Sequence, residues 1–217
     1  MTIEEDIEAL LDRQQGMSLI PSWDKGFLLA GDYRFQAKPE GGELVSDQFA
    51  IKILVPATFP SQLPTFWEVG SRIPKKANWH INIKTDCSIC LGGGLSLRLV
   101  ARKHPSLTSY FENTLVPYLY AVCLRERHGG SFIFSELSHG EEGLIEEVRD
   151  LLVLPSDRAA VAVIRLLSMK KRVANKILCP CGCRERFGIC QLQGKLYNFR
   201  SLETRKFYKG YLQHMRK

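Results

Sequence analysis

The chain of 217 residues carries 30 Lys and Arg against 23 Asp and Glu, a formal net charge of +7, with 45% hydrophobic and 24% charged residues. Those proportions are ordinary for a soluble globular protein with a sizeable core, and the length suits one domain of about 150 residues plus a smaller appendage. No run of about 18 apolar residues occurs, and the opening Met1-Thr2-Ile3-Glu4-Glu5-Asp6 is acidic where a signal peptide would be basic, so the expected setting is the cytoplasm, with no membrane partner.

Seven cysteines, an odd count with four packed between Cys179 and Cys190, argue against a secreted disulfide framework and for reduced thiols or metal. Residues 1–155 hold 15 Lys and Arg against 20 Asp and Glu, whereas residues 156–217 hold 15 against 3. The basic character belongs to the C-terminal stretch, and a nucleic-acid partner could apply only there.

In chain order, residues 2–13 place Ile3, Ile7, Leu10 and Leu11 at helical spacing behind Thr2 as N-cap. Between residues 27 and 55 the period changes to two. Tyr33, Phe35 and Ala37 alternate with Arg34, Gln36 and Lys38, Pro39 to Gly42 supply turn chemistry, and Phe49, Ile51, Ile53 and Val55 alternate again. This predicts an antiparallel meander, continued by a short strand over residues 65–69 after a corner at Pro60 and Pro64. Trp67 and Trp79 are expected to pack the core or its loops.

Residues 80–91 read His-Ile-Asn-Ile-Lys-Thr-Asp-Cys-Ser-Ile-Cys-Leu and run into Gly92, Gly93 and Gly94. A short polar segment between a Pro-bounded apolar run and a glycine triplet is a loop, where chemistry is commonly placed. Cys90 is the candidate nucleophile, since a thiolate attacks acyl carbon well, and Asn82 fits as a neutral donor to the oxyanion so formed. No further His or Asp stands nearby at triad-like spacing, which suits acyl carriage better than hydrolysis. On these residues alone, Cys87 and Cys90 could also be half of a zinc site with His80, or a redox pair.

The local order resembles the active-site segment of ubiquitin-conjugating enzymes, in which His-Pro-Asn is followed at this distance by the thioester cysteine and a leucine, here His80, Ile81, Asn82, Cys90 and Leu91. Phe59, Pro60 and Pro64 resemble the family's aromatic-Pro-x3-Pro element. The resemblance covers roughly residues 25–130. Ile81 replaces the family's proline, Cys87 stands where a glycine is usual, and the Trp-Ser-Pro that commonly follows the cysteine is missing. The resemblance implies a four-stranded antiparallel sheet with flanking helices, Cys90 as thioester carrier assisted by Asn82 and His80, and three partners: a ubiquitin-like protein, its activating enzyme and a protein substrate. It points to a divergent, bacterial-type member, in an operon-encoded conjugation pathway linked to antiviral defence.

Beyond this loop, residues 95–103 fit a helix or a strand. Residues 106–127 carry an apolar stripe of Tyr110, Phe111, Leu115, Leu119, Val122 and Cys123, read as one helix with Pro117 as a possible kink and Cys123 as a buried thiol. Glu112, Glu126, His104 and His128 have no motif and read as surface residues. Residues 140–154 and 157–176 form two more helical patterns divided at Pro155-Ser156, with Ser156 as a cap.

Cys179-Pro180-Cys181-Gly182-Cys183 and Cys190 place four thiols within twelve residues, a spacing able to converge on one tetrahedral zinc ion. Cys179, Cys181 and Cys190 resemble the SEC-C type zinc motif. Gln191 stands in place of that family's adjacent fourth ligand, leaving Cys183, which we favour, or His214. Tyr197, Phe199, Phe207, Tyr208 and Tyr211 among Arg and Lys could stack on nucleic acid; packing of a small module is the expected role, and nucleic acid is not an expected partner. The whole reads as an α/β (α+β) protein, a ubiquitin-conjugating-like catalytic domain over residues 1–155 and a basic, helical, zinc-bearing module over residues 156–217. The competing reading is a non-enzymatic adaptor that holds a second zinc through His80, Cys87 and Cys90 and binds nucleic acid with its basic tail.

Overall fold

A computed structural model describes residues 2–21, 26–132 and 140–214 of the chain. By its contacts the chain divides into two compact units, Met1–Gly92 with Leu97–Glu136, and Gly93–Ser96 with Leu137–Lys217. The first holds α1 (Ile3–Arg13), β1 (Met17–Ile20), β2 (Gly26–Ala37), β3 (Val45–Pro56) and β4 (Thr65–Glu68). A 3-10 turn, Ala77–Trp79, leads into the cysteine loop, and α2 (Gly94–Lys103), α3 (Leu107–Asn113) and α4 (Leu115–His128) follow.

The fold is α+β, with the four strands in the order β1-β2-β3-β4 and every pair antiparallel. Register follows from the alternation: Tyr33 faces Phe49 and Ile53 faces Phe66 across the ladders. One side chain in two therefore points into a common core, where Leu29, Tyr33, Phe49, Ile51, Ile53, Val55 and Phe66 meet Tyr110, Phe111, Leu115 and Leu119. Phe111 lies edge-on to both Tyr33 and Phe66, at 6.3 and 5.1 Å between ring centres. Each such fully buried side chain stabilises the fold by about 1.5–3 kcal/mol.

β1 was not readable in the sequence, being four residues long and without alternation. It forms because Gly31 (φ 140°) opposite Met17 lets the two backbones close; a Cβ at Gly31 would meet the Gly16 carbonyl oxygen at 2.1 Å. α1 starts on a capping box between Thr2 and Glu5, and its buried Asp6 reaches the far end of the unit to accept the Leu107 N–H at 2.8 Å, capping α3 beside Ser106.

The stripe expected to form one kinked helix is two helices. The chain breaks at Thr114 (φ −132°, ψ −63°), whose hydroxyl donates to the Tyr110 carbonyl at 2.7 Å, and Pro117 falls in the first turn of α4. A first-turn proline costs nothing, because no helical acceptor is available there for its missing N–H.

Arg72 ties three elements together. It donates to Asp47 on β3 and Glu126 on α4, both at 2.7 Å at closest, and its guanidinium lies 4.1 Å from the Phe49 ring centre. The Asp47 carboxyl is thereby held down to about 2, and the Cys123 thiol donating to it at 3.4 Å is pushed up to about 12, chiefly by burial. Cys123 is the buried, inert thiol expected. Because the folded Asp47 binds its proton less tightly than the unfolded one, its contribution is complete above about pH 5 and disappears as pH falls toward 2. Urea unfolding at about pH 6 and pH 3 should show wild type losing roughly 1 kcal/mol more than Asp47→Asn, solvent screening having trimmed the full effect of the shift.

The second unit is helical: α5 (Gly140–Leu152), α6 (Asp157–Ser168), α7 (Lys171–Ala174), a 3-10 turn at Phe187–Ile189, α8 (Gln191–Leu202) and α9 (Arg205–His214). Ser156 caps α6 by accepting the Ala159 N–H, and α6, with Ala159, Ala160, Val163, Ile164 and Leu167 all buried, is the helix on which α5, α8 and α9 pack. The pattern over residues 157–176 expected to be one helix breaks at Met169 and Lys170, both extended. Arg200 from α8 closes that break, donating to the carbonyls of Leu166 and Met169 at 2.7 and 3.0 Å. Among the described residues no helix is long and apolar enough to cross a membrane.

Candidate functional site

Residues 80–90 fold back on themselves. Ile81 and Ile89 form an antiparallel bridge, both buried, and the flanking bonds run from Asn82 N–H to Ser88 carbonyl (2.9 Å) and from Cys90 N–H to His80 carbonyl (2.7 Å). The Asn82 carbonyl in turn accepts the N–H groups of Thr85 and Cys87, both at 3.1 Å. Ile89 N–H donates to Phe66 on β4 at 2.7 Å, which fastens the loop to the sheet. Ser88, next to Ile89 in the loop, is buried as well. Cys90 is half-buried, and the Asn82 side-chain N–H2 donates to Ser88 Oγ at 3.0 Å. The same N–H2 carries a second proton available to an incoming oxygen.

Cys87 has φ 57°, in the left-handed region. That turn sets Cys87 and Cys90 in different backbone environments. His80 is also left-handed (φ 53°); its carbonyl serves Cys90, while its ring stands edge-on to Phe132 at 4.8 Å. The Asp86 carboxyl is held below its usual range, first by the Ser88 side chain and also by Ser88 N–H, which it accepts at 3.1 Å.

Three supporting residues lie far off in sequence and were not anticipated. Tyr118 on α4 donates to the Trp79 carbonyl at 2.9 Å, just before His80; burial, then the charges of Glu68 and Cys90, raise its pKa, so its hydroxyl keeps its proton. Arg125 covers the Trp79 ring at 4.3 Å and donates to the Asn78 carbonyl. Phe132 stacks on Tyr118 at 5.9 Å and meets Trp79 edge-on. Signals for them in the sequence are faint: an aromatic just off the expected stripe and one basic residue near a helix end. Trp67, as expected, packs the loop, donating its indole N–H to the Asp86 carbonyl at 3.1 Å. Glu126, His104, His128 and Glu112 have partners in Arg72, Ser109, Glu43 and Arg13 respectively.

Gly93 and Ser96 belong to the second unit. Glu147 on α5, 4% exposed, accepts the Ser96 N–H at 2.6 Å, satisfying one of the free donors at the start of α2. A Cβ on Gly93 would come within 2.2 Å of that carboxylate, so a larger residue there would have to displace the Glu147 side chain.

In the same unit, Leu178 and Arg186 bridge antiparallel, with Cys179 N–H on the Glu185 carbonyl at 2.8 Å and left-handed Gly182 and Arg184 making the turn. This hairpin and the start of α8 bring the sulfurs of Cys179, Cys181, Cys183 and Cys190 within 4.8 Å of one another. Neighbouring pairs stand at 3.3 to 3.6 Å, close to the roughly 3.8 Å edge of a tetrahedron built on Zn–S bonds of about 2.3 Å. The Cys181 thiol is brought down to about 7, mainly by hydrogen bonding from Cys179. Four converging thiols are compatible with zinc. Cys183 belongs to the group; the side chain of His214 lies outside the described residues. Among the described residues no second group of three or more metal-ligating side chains occurs, and His80, Cys87 and Cys90 do not form one.

Compared with protein-family models, curated proteins and solved structures, the chain finds no match.

Proposed function

We propose that the first unit is a ubiquitin-conjugating-type acyl carrier and that Cys90 is its nucleophile. The observation that carries this reading is the pinned loop: Cys90 half-buried at its end, its N–H held by the His80 carbonyl, with the Asn82 side chain held in the same loop by its bond to Ser88. The antiparallel sheet in chain order, followed by the loop and then α2 to α4, agrees with the order the resemblance implies. Absence of a metal-ligating group around Cys87 and Cys90 among the described residues weighs against the adaptor reading.

In the proposed reaction the Cys90 thiolate attacks the thioester carbonyl of a ubiquitin-like protein held by its activating enzyme. Cys90 first loses its proton to solvent; a new C–S bond forms, the donor's C–S bond breaks, and the donor cysteine leaves as a thiolate that regains a proton from solvent. A target amine then attacks the carbonyl, Asn82 donates to the oxyanion, the Cys90 C–S bond breaks, and the amine's proton passes to solvent as the amide forms. His80 acts through its carbonyl on the Cys90 backbone. The second unit is proposed as a module in which Cys179, Cys181, Cys183 and Cys190 hold one structural zinc.

The test needs no knowledge of the natural partner. Incubation with a synthetic peptide thioester should add the acyl group to Cys90, as a mass gain that a free thiol removes. In Asn82→Ala the adduct should still form, while its transfer to added lysine slows roughly 100-fold, the scale of one lost oxyanion donor. Unchanged transfer would remove Asn82 from the mechanism; no thiol-sensitive adduct on any cysteine would sink the carrier reading.

A further inference from the structure

The second unit contains a cavity of about 320 Å³ that neither the Cys90 chemistry nor the metal site uses. Its walls are two helix faces. Lys171 and Asn175 stand one turn apart at α7, and Gln193, Tyr197 and Arg200 recur at spacings of four and three along α8, with the buried Phe187 between them. Gly194 leaves the α8 wall bare, since a Cβ there would touch nothing.

The lining holds two cations and no acid. Lys171 Nζ lies 5.6 Å from the centre of the Tyr197 ring, and that ring is 63% exposed. The other aromatics of the region behave as packing residues: Phe199 and Tyr208 are buried, and Phe207 pairs with both Tyr208 and Tyr211. Tyr197 is the large ring left available. Arg200 spends its two terminal nitrogens on the carbonyls of Leu166 and Met169, so it offers the groove charge rather than the free fork that a carboxylate prefers. At the wall, Asn175 Oδ1 is buried without a hydrogen-bond partner among the described residues, an acceptor left over at the groove for a ligand N–H.

We propose that this groove binds a nucleotide, free or within a single strand, with the base on Tyr197, its polar edge toward Asn175 and Gln193, and the phosphate near Lys171 and Arg200. A diffuse phosphate charge suits a committed guanidinium and a mobile ammonium, and the volume is larger than an isolated anion needs. The excess of 15 basic over 3 acidic residues in positions 156–217 extends the attraction beyond the groove. The groove also depends on the metal site. Gly188 N–H donates to the Asn175 carbonyl at 3.1 Å, and Cys190, one of the four thiols, caps α8 through its sulfur.

Fluorescence anisotropy of the full, zinc-loaded chain with a labelled oligouridylate of about eight nucleotides tests this. Tyr197→Ala, at an exposed position, should weaken binding roughly tenfold or more while Tyr197→Phe restores it, as loss and recovery of one base stack require. Lys171→Gln should weaken binding and lower the slope of log K against log salt by about 0.7 between about 50 and 200 mM. A zinc chelator should abolish it. Competition by adenosine monophosphate would assign the groove to a free nucleotide, and its failure to compete to a strand. Equal binding by wild type and Tyr197→Ala would overturn the proposal by showing diffuse attraction to basic residues, as would tighter binding of a polyglutamate peptide, or no binding of either the oligonucleotide or adenosine monophosphate.

Discussion

Cys90→Ala is expected to leave fold and metal content intact and to remove the thiol-sensitive acyl adduct entirely. The side chain is half-buried at the end of a loop held by backbone bonds, Cys90 N–H to His80 and Asn82 N–H to Ser88, and alanine keeps all of them. The stability change should stay within about 1 kcal/mol. Intact-mass measurement after exposure to a peptide thioester, with urea unfolding in parallel, reads both effects. Cys87 is the internal control. It follows Cys90's chemistry in residue type but sits in a left-handed turn three residues earlier. Cys87→Ala should keep the adduct. The reverse result, adduct lost with Cys87→Ala and kept with Cys90→Ala, would move the nucleophile to the turn, and loss with neither would end the conjugation reading.

The second large effect is expected from Cys181→Ala. Its sulfur has Cys179 at 3.3 Å and Cys190 at 3.6 Å, so removing it opens a tetrahedral set rather than trimming its edge. Structural zinc contributes on the order of 10 kcal/mol to small modules, as much as a whole domain's usual net stability. Metal analysis should show zinc lost, and hydrogen exchange should show amides of α8 and the hairpin around Cys179 to Cys183 losing protection, while amides of β2 and β3 keep theirs. A Cys181→Ala protein that holds a full equivalent of zinc with an unchanged exchange pattern would refute the four-cysteine site.

What was legible in the sequence was whatever is carried by short-range spacing. The period of two in residues 33–37 and 49–55 specifies which faces of β2 and β3 are buried, because successive side chains of a strand must point opposite ways. Four thiols between Cys179 and Cys190 converge because Gly182 and Arg184 reverse a chain too short to do otherwise. The charge step near Pro155 is a property of composition, and contacts pay it no regard: α5 joins the second unit because Leu144, Val148 and Leu152 bury against its neighbours there.

Tertiary structure decided the rest, and the reason is distance along the chain. The break falls at Thr114, with no glycine there, and Pro117, read from the sequence as a kink, belongs instead to the first turn of the helix that follows. Whether Tyr197 packed or stood exposed depended on where α7 and α8 lie, which helical spacing alone leaves open. Cys90 and Asn82 were visible as residue types in order, but their support comes from Phe66, Tyr118 and Arg125, residues whose relation to the loop exists only once a sheet and a helix have packed. The sequence by itself determined β2, β3 and β4, the thiol cluster and the candidate nucleophile; only the packed chain added β1 and decided what holds each of them in place.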